Sequence, residues 1–195
     1  MVEQRQSMNH ANELYLFSSK KASDVQELKN VNDSIYDVLE LCKVEKRWIP
    51  TSDGGSMLTW VIYPPHFDAS KTYPTLLYCQ GGPQSPVSQF YSFRWNFQLM
   101  ASQGYIVVAP NRHGVPSFGK AWNEQISGDW GGQAMEDYLA AIDTLAKEPY
   151  VDKANLGAVG ASYGGYSVYM LAGIHENRFA ALISHCGLFD MKSWY

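Results

Sequence analysis

The hydrophobic pattern changes character part-way along the chain. Up to residue 63 it favours paired strands. Residues 13–17 (Glu-Leu-Tyr-Leu-Phe) read as a strand, residues 18–24 as a polar turn, and residues 25–28 as the partner strand. A lone hairpin cannot bury its apolar face, so the rest of that sheet is expected upstream. Asn32 and Asp33 suit the start of a short helical turn running to Leu41. Residues 44–50 and 57–63 form a second strand pair around Ser52-Asp53-Gly54-Gly55, a strong turn signal.

From residue 74 the rhythm becomes strand, helix, strand. Residues 74–79, 105–109 and 155–159 are short, largely apolar runs, as expected of strands buried on both faces of a parallel sheet. Between them, residues 95–102 read as a helix that stops at Gln103-Gly104, and residues 111–119 as a loop. A long helix follows Gly131-Gly132, with Met135, Leu139, Ile142 and Leu145 recurring at three and four residues. Residues 163–174 form a further helix and residues 179–184 a last strand. The alternation predicts an α/β fold with a mostly parallel sheet and helices on both faces.

Composition alters this picture little but narrows the partners. The 195 residues are 46% hydrophobic and 17% charged, an ordinary globular balance. A net charge of −4 gives no reason to expect nucleic acid. No apolar run is long enough to span a bilayer, so no membrane partner is expected. The first ten residues lack the basic and then apolar regions of a secretory signal, and both periplasm and cytoplasm remain open for the parent protein. Cys42, Cys79 and Cys186 share no metal-ligand spacing, and Cys79 and Cys186 lie in apolar runs that predict buried free thiols.

The chemistry concentrates at Gly160-Ala161-Ser162-Tyr163-Gly164, between an apolar strand and a helix. In that context Gly-x-Ser-x-Gly is a nucleophile elbow, its glycines removing side chains that would clash with the strained turn. Ser162 is the expected nucleophile, and the backbone N–H of Tyr163 one oxyanion donor. The second comes from the loop after the 74–79 strand, Gln80-Gly81-Gly82-Pro83, with Gly82 the candidate. The aromatic and basic cluster that follows, Phe90 to Phe97, either shapes a substrate pocket, with Arg94 and Trp95 touching substrate, or is ordinary packing.

The base is missing from this pattern. His10 and His66 look like surface residues, and His175 lies at the far end of the elbow helix. His185 is expected in packing or a loop. His113 could line the cleft, but precedes the serine, whereas this fold orders serine, acid, histidine. Only 195 − 162 = 33 residues follow Ser162, and the acid and histidine are expected beyond them. Glu136 and Asp137, adjacent on a helix, point apart and read as caps or surface charges.

Four segments, taken together, resemble the catalytic domain of the prolyl oligopeptidase family, on its acylaminoacyl-peptidase and dipeptidyl-peptidase type 5 branch. They are Tyr78-Cys79-Gln80-Gly81-Gly82-Pro83, Asn111-Arg112-His113-Gly114, Gly128-Asp129-Trp130-Gly131-Gly132, and the elbow continued through Gly165-Tyr166. Gln80 stands where many relatives carry histidine, and His113 where arginine is usual. The resemblance implies an α/β-hydrolase domain over residues 43–195, cut short after about its sixth strand, with residues 1–42 the end of a β-propeller and a linker. It also implies a serine peptidase acting on oligopeptides through an acyl-enzyme, without cofactor or metal, and a possible homo-oligomer at full length. An esterase or lipase with the same elbow, or a catalytically inactive fragment, is the alternative.

Overall fold

The computed structural model describes residues 1–18, 20–21, 23–28 and 31–194. Part of the turn expected over 18–24 lies outside the described residues. Along the chain the elements are β1 (Val2–Arg5), β2 (Glu13–Phe17), β3 (Val25–Glu27), α1 (Asp33–Tyr36), β4 (Val44–Pro50), β5 (Ser56–Ile62), β6 (Tyr73–Cys79), α2 (Phe97–Ser102), β7 (Ile106–Pro110), α3 (Lys120–Glu124), α4 (Gln133–Leu145), β8 (Val151–Ala161), α5 (Tyr163–Ile174), β9 (Ala181–His185) and α6 (Met191–Trp194).

They form two sheets. β1-β2-β3 is a small antiparallel sheet, so the expected hairpin of β2 and β3 gains an unforeseen third strand from residues 2–5. The main sheet has six strands in the order β4-β5-β7-β6-β8-β9. β4, β5 and β7 pair antiparallel, whereas β7-β6, β6-β8 and β8-β9 pair parallel. The central strand β7 is buried at every position, which explains why its sequence is a continuous apolar run rather than an alternation.

Alternation reappears in which face each residue serves. Ile106 and Val108 of β7, with Leu77 and Cys79 of β6, pack with the buried stripe of α4 (Met135, Tyr138, Ile142, Leu145) and with Tyr163 and Val168 of α5. Val107 and Ala109, with Tyr78, point to the other face and pack against Phe97 and Ala101 of α2. One strand period of two thus builds both cores. The helix expected from residue 95 starts at Phe97 because the side chain of Asn96 accepts the Leu99 N–H and caps it.

One polar cluster ties the strand pair β4-β5 to the segment that follows α4. Arg47 donates to Glu45 at 2.8 Å, to Glu148 at 2.5 Å and to the hydroxyls of Tyr63 and Tyr150 at 2.9 and 2.7 Å. Residues 1–42 are anchored by Met8, buried in the second core, and by Gln98, which accepts the Cys42 N–H and donates to Asn9. Cys42 and Cys79 are buried as free thiols, but Cys186 is exposed. It lies just beyond the end of β9, an edge strand whose residues alternate between exposed and half-buried, so an apolar run there did not mean burial.

Candidate active site

β8 ends at Ala161 and α5 begins at Tyr163, leaving Ser162 alone at the turn with φ 58° and ψ −121°. A side chain held on that side of the map is costly, and Ser162 is exposed while Tyr163 and Gly164, the first two residues of α5, are buried. Space dictates the residue two places on. A Cβ on Gly164 would lie 2.0 Å from the carbonyl oxygen of Cys79, so only glycine lets α5 start this close to the end of β6. The turn is also tied to β9, the Ser162 N–H donating to the His185 carbonyl at 3.0 Å.

The loop over residues 80–83 passes beside the elbow. A Cβ on Gly81 would sit 3.0 Å from the Ala161 carbonyl and 3.8 Å from Ser162 Cβ. Gly82 has φ 129°, a conformation reserved for glycine. Tyr163, as the first residue of α5, has a backbone N–H without an intrahelical acceptor. No acceptor among the described residues takes the N–H of Gly82. The three expected groups, the Ser162 hydroxyl and the two N–H groups, therefore share one end of the parallel strands.

That end opens into a cavity of about 580 Å³. Ser162, Gly81 and Gly82 form its floor, and Tyr78, Phe90, Arg94 and Trp95 are among the residues of its wall. Arg94 makes no ion pair among the described residues, and its charge opposes the burial that pushes the Tyr78 phenol up to about 12. The wall is held in place by Asn111, fully buried, whose side chain accepts the Val87 N–H at 2.8 Å and donates to the Val87 carbonyl at 3.1 Å. The ring of His185 meets Trp95 edge-on at 5.9 Å. Among the described residues, none donates to or accepts from the Ser162 hydroxyl.

His113 does not line this cavity. It is buried on the other side of its loop, stacked 3.5 Å from the Trp122 ring. Its Nδ1 lies 2.7 Å from Asp137 Oδ2 and its Nε2 3.3 Å from Asp53 Oδ2. Asp137 is accordingly no cap or surface charge; it is fully buried. A signal for this was present, because Asp137 stands three residues after Ala134 and four before Ala141, on the buried stripe of α4.

Arg112 stands in one of the four family-like segments, but the sequence assigns it no role. It is fully buried, which nothing in its loop sequence announces. Its Nη2 donates to the Pro83 carbonyl and its Nη1 to the His113 carbonyl, each at 2.7 Å. Its Nε reaches the Tyr138 hydroxyl at 3.3 Å, and its guanidinium stands 4.5 Å from the centre of the Tyr163 ring. The Gly128–Gly132 motif completes the surround: Tyr163 donates its hydroxyl to the Trp130 carbonyl at 2.7 Å.

A mostly parallel sheet with helices on both faces, and a Gly-x-Ser-x-Gly turn where one of its strands feeds a helix, define an α/β-hydrolase. Comparison with known proteins makes this specific. Residues 91–195 match the prolyl oligopeptidase family, and the chain belongs to that family of serine peptidases. Dipeptidyl-peptidase 5 of Porphyromonas gingivalis is 58% identical over 195 residues, covering all of this chain and 28% of that protein. Acylaminoacyl peptidase of Pyrococcus horikoshii superposes with a TM-score of 0.86 at 24% identity, over 96% of this chain and 29% of that one. Dipeptidyl peptidase 4 of Porphyromonas gingivalis superposes with a TM-score of 0.82 at 27% identity, over 97% of this chain and 27% of that one. The chain thus spans under a third of the length of these relatives.

Proposed function

We propose that the protein containing this chain is a serine peptidase that releases dipeptides from the amino ends of oligopeptides, as the name of its Porphyromonas gingivalis relative suggests. The observation that carries this reading is Ser162 on a strained strand-to-helix turn, with the Gly81-Gly82 loop against it and a cavity opening above both.

In this reading the Ser162 hydroxyl oxygen attacks the scissile carbonyl carbon and its proton passes to a base. The carbonyl oxygen, now an anion, is met by the N–H groups of Gly82 and Tyr163. Collapse of the tetrahedral intermediate breaks the C–N bond, the amine leaving with a proton from the base and the peptide remaining as an ester on Ser162. Water then hydrolyses the ester. The base and its orienting acid are assigned to the longer protein, outside residues 1–195. Arg94 and Trp95 are assigned to the substrate: Trp95 as an apolar wall, Arg94 as a donor to a peptide carbonyl or a carboxylate. Residues 1–42 are assigned to a separate β unit, the end of a propeller, and residues 43–195 to the hydrolase domain. Among the described residues no helix is long and apolar enough to cross a membrane.

The test is hydrolysis of dipeptidyl chromogenic amides by the full-length protein and its Ser162→Ala variant. Turnover in the parent and its loss in the variant are expected; a variant that keeps parental turnover overturns the assignment. Cleavage of simple aryl esters without any cleavage of dipeptidyl amides would assign an esterase instead.

A further inference from the structure

Both ends of the loop that carries Gly82 are pinned from beneath by one buried pair. Arg112 holds the Pro83 carbonyl at 2.7 Å. Tyr138, itself bonded to Arg112 Nε at 3.3 Å, donates its hydroxyl to the Gln80 carbonyl at 3.5 Å. With the Gln80 carbonyl held by Tyr138 of α4 and the Pro83 carbonyl by Arg112, the peptide groups between them have little freedom to turn. The same guanidinium lies 4.5 Å from the ring of Tyr163, the residue that offers the other N–H. One side chain therefore touches both halves of the candidate oxyanion hole.

Its charge is unusual as well. Arg112 is fully buried, and no carboxylate lies within ion-pair distance of it among the described residues. Burial keeps the phenols of Tyr138 and Tyr163 in their protonated form, so neither supplies a counter-charge. An uncompensated cation in a low-dielectric interior is costly to fold around. Its field is felt strongly wherever negative charge develops nearby.

We propose that Arg112 is a positioning residue for acyl transfer, fixing loop 80–83 from beneath and lending positive charge to the oxyanion that forms above it. The proposal rests on the assignment of Ser162 as nucleophile. Arg112 does not touch the substrate; it acts through Pro83, Tyr138 and Tyr163.

The experiment uses the full-length protein with Arg112→Met, Arg112→Lys and Tyr138→Phe, measuring kcat and KM on a dipeptidyl amide. It also measures affinity for a dipeptidyl boronic acid, which binds serine as a tetrahedral anion, and for the product dipeptide, which does not. Loss of one oxyanion-hole donor sets the scale, so Arg112→Met is expected to lower kcat about a hundredfold with KM within about threefold. Boronate affinity should fall in step with kcat while product affinity holds. Arg112→Lys should recover part of the loss, and Tyr138→Phe should lower kcat alone by about fivefold. A parental kcat in Arg112→Met overturns the proposal. So does an equal fall in boronate and product affinity, which marks a collapsed cleft. If Arg112→Met does not fold, as judged by circular dichroism, parental kcat in both remaining variants overturns it. Ser162→Ala run alongside separates the two failures: activity surviving there sinks the nucleophile assignment itself.

Discussion

Asp137 Oδ2 receives two contacts from His113, the backbone N–H at 2.6 Å and the imidazole Nδ1 at 2.7 Å. One buried carboxylate oxygen thus fixes both the main chain and the ring of the residue that follows Arg112. With Asp53 at the other ring nitrogen, the imidazole joins α4 to the β4-β5 turn.

Removing one partner of a buried pair leaves the other stranded, which costs about 3–5 kcal/mol. Asp137→Ala in the full-length protein should lower stability by that amount, read as the urea midpoint of the catalytic domain. His113→Ala should cost less, because Asp137 would lose the imidazole but keep the backbone N–H of residue 113 and the side-chain amide of Gln133. The double variant should cost clearly less than the sum. Additive losses would show that the two residues act independently.

Gly164 is set by contact rather than by flexibility. A methyl there would meet the Cys79 carbonyl oxygen at 2.0 Å, and neither α5 nor β6 can retreat without opening the core between them. Gly164→Ala should destabilise by about 3 kcal/mol, whereas Gly173→Ala, where a Cβ meets nothing within 4 Å, should be tolerated. Thermal unfolding of the two variants checks the contrast, and equal midpoints would contradict the packing described here.

Acid should weaken the β4-β5 attachment. Burial by itself raises the Glu45 pKa, but the hydrogen bond and charge of Arg47 outweigh it and leave the carboxyl below its usual range. A depressed carboxylate stabilises the fold above its unfolded value, and that contribution is lost as pH falls through the folded one. The gap in stability between the parent and Glu45→Gln should therefore be full at about pH 6 and shrink as pH falls below the range of a free glutamate. A gap that does not change with pH would mean that Glu45 contributes by packing alone.

The elbow was legible in the sequence because its demands are local: two glycines around a serine, an apolar strand before and a helix after. The parallel strands were legible for the same reason, their buried stretches at 74–79, 105–109 and 155–159 being short, largely apolar runs. The buried polar residues were not. Arg112 lies 29 residues from Pro83, and His113 lies 24 from Asp137. Nothing within a loop of mixed polarity says that its arginine turns inward. Asp137 was the nearest to being found, since the helical period placed it on the buried stripe, but the adjacent Glu136 drew both towards a surface reading. Cys186 failed in the opposite direction, an apolar neighbourhood belonging to a sheet edge.

The backbone of Ser162 has one more consequence, for selection. A φ of 58° with ψ −121° is unfavourable for every residue with a side chain and mild for glycine. At such a position the strain is of the order of 1–3 kcal/mol. Serine is therefore a poor choice for folding here, and a library of position 162 screened only for folded protein should enrich glycine over it. A library screened for turnover should return serine. The same residue would stand below glycine in one list and at the top of the other, and the distance between the two residues in the first list measures what the fold gives up to hold one hydroxyl in the open.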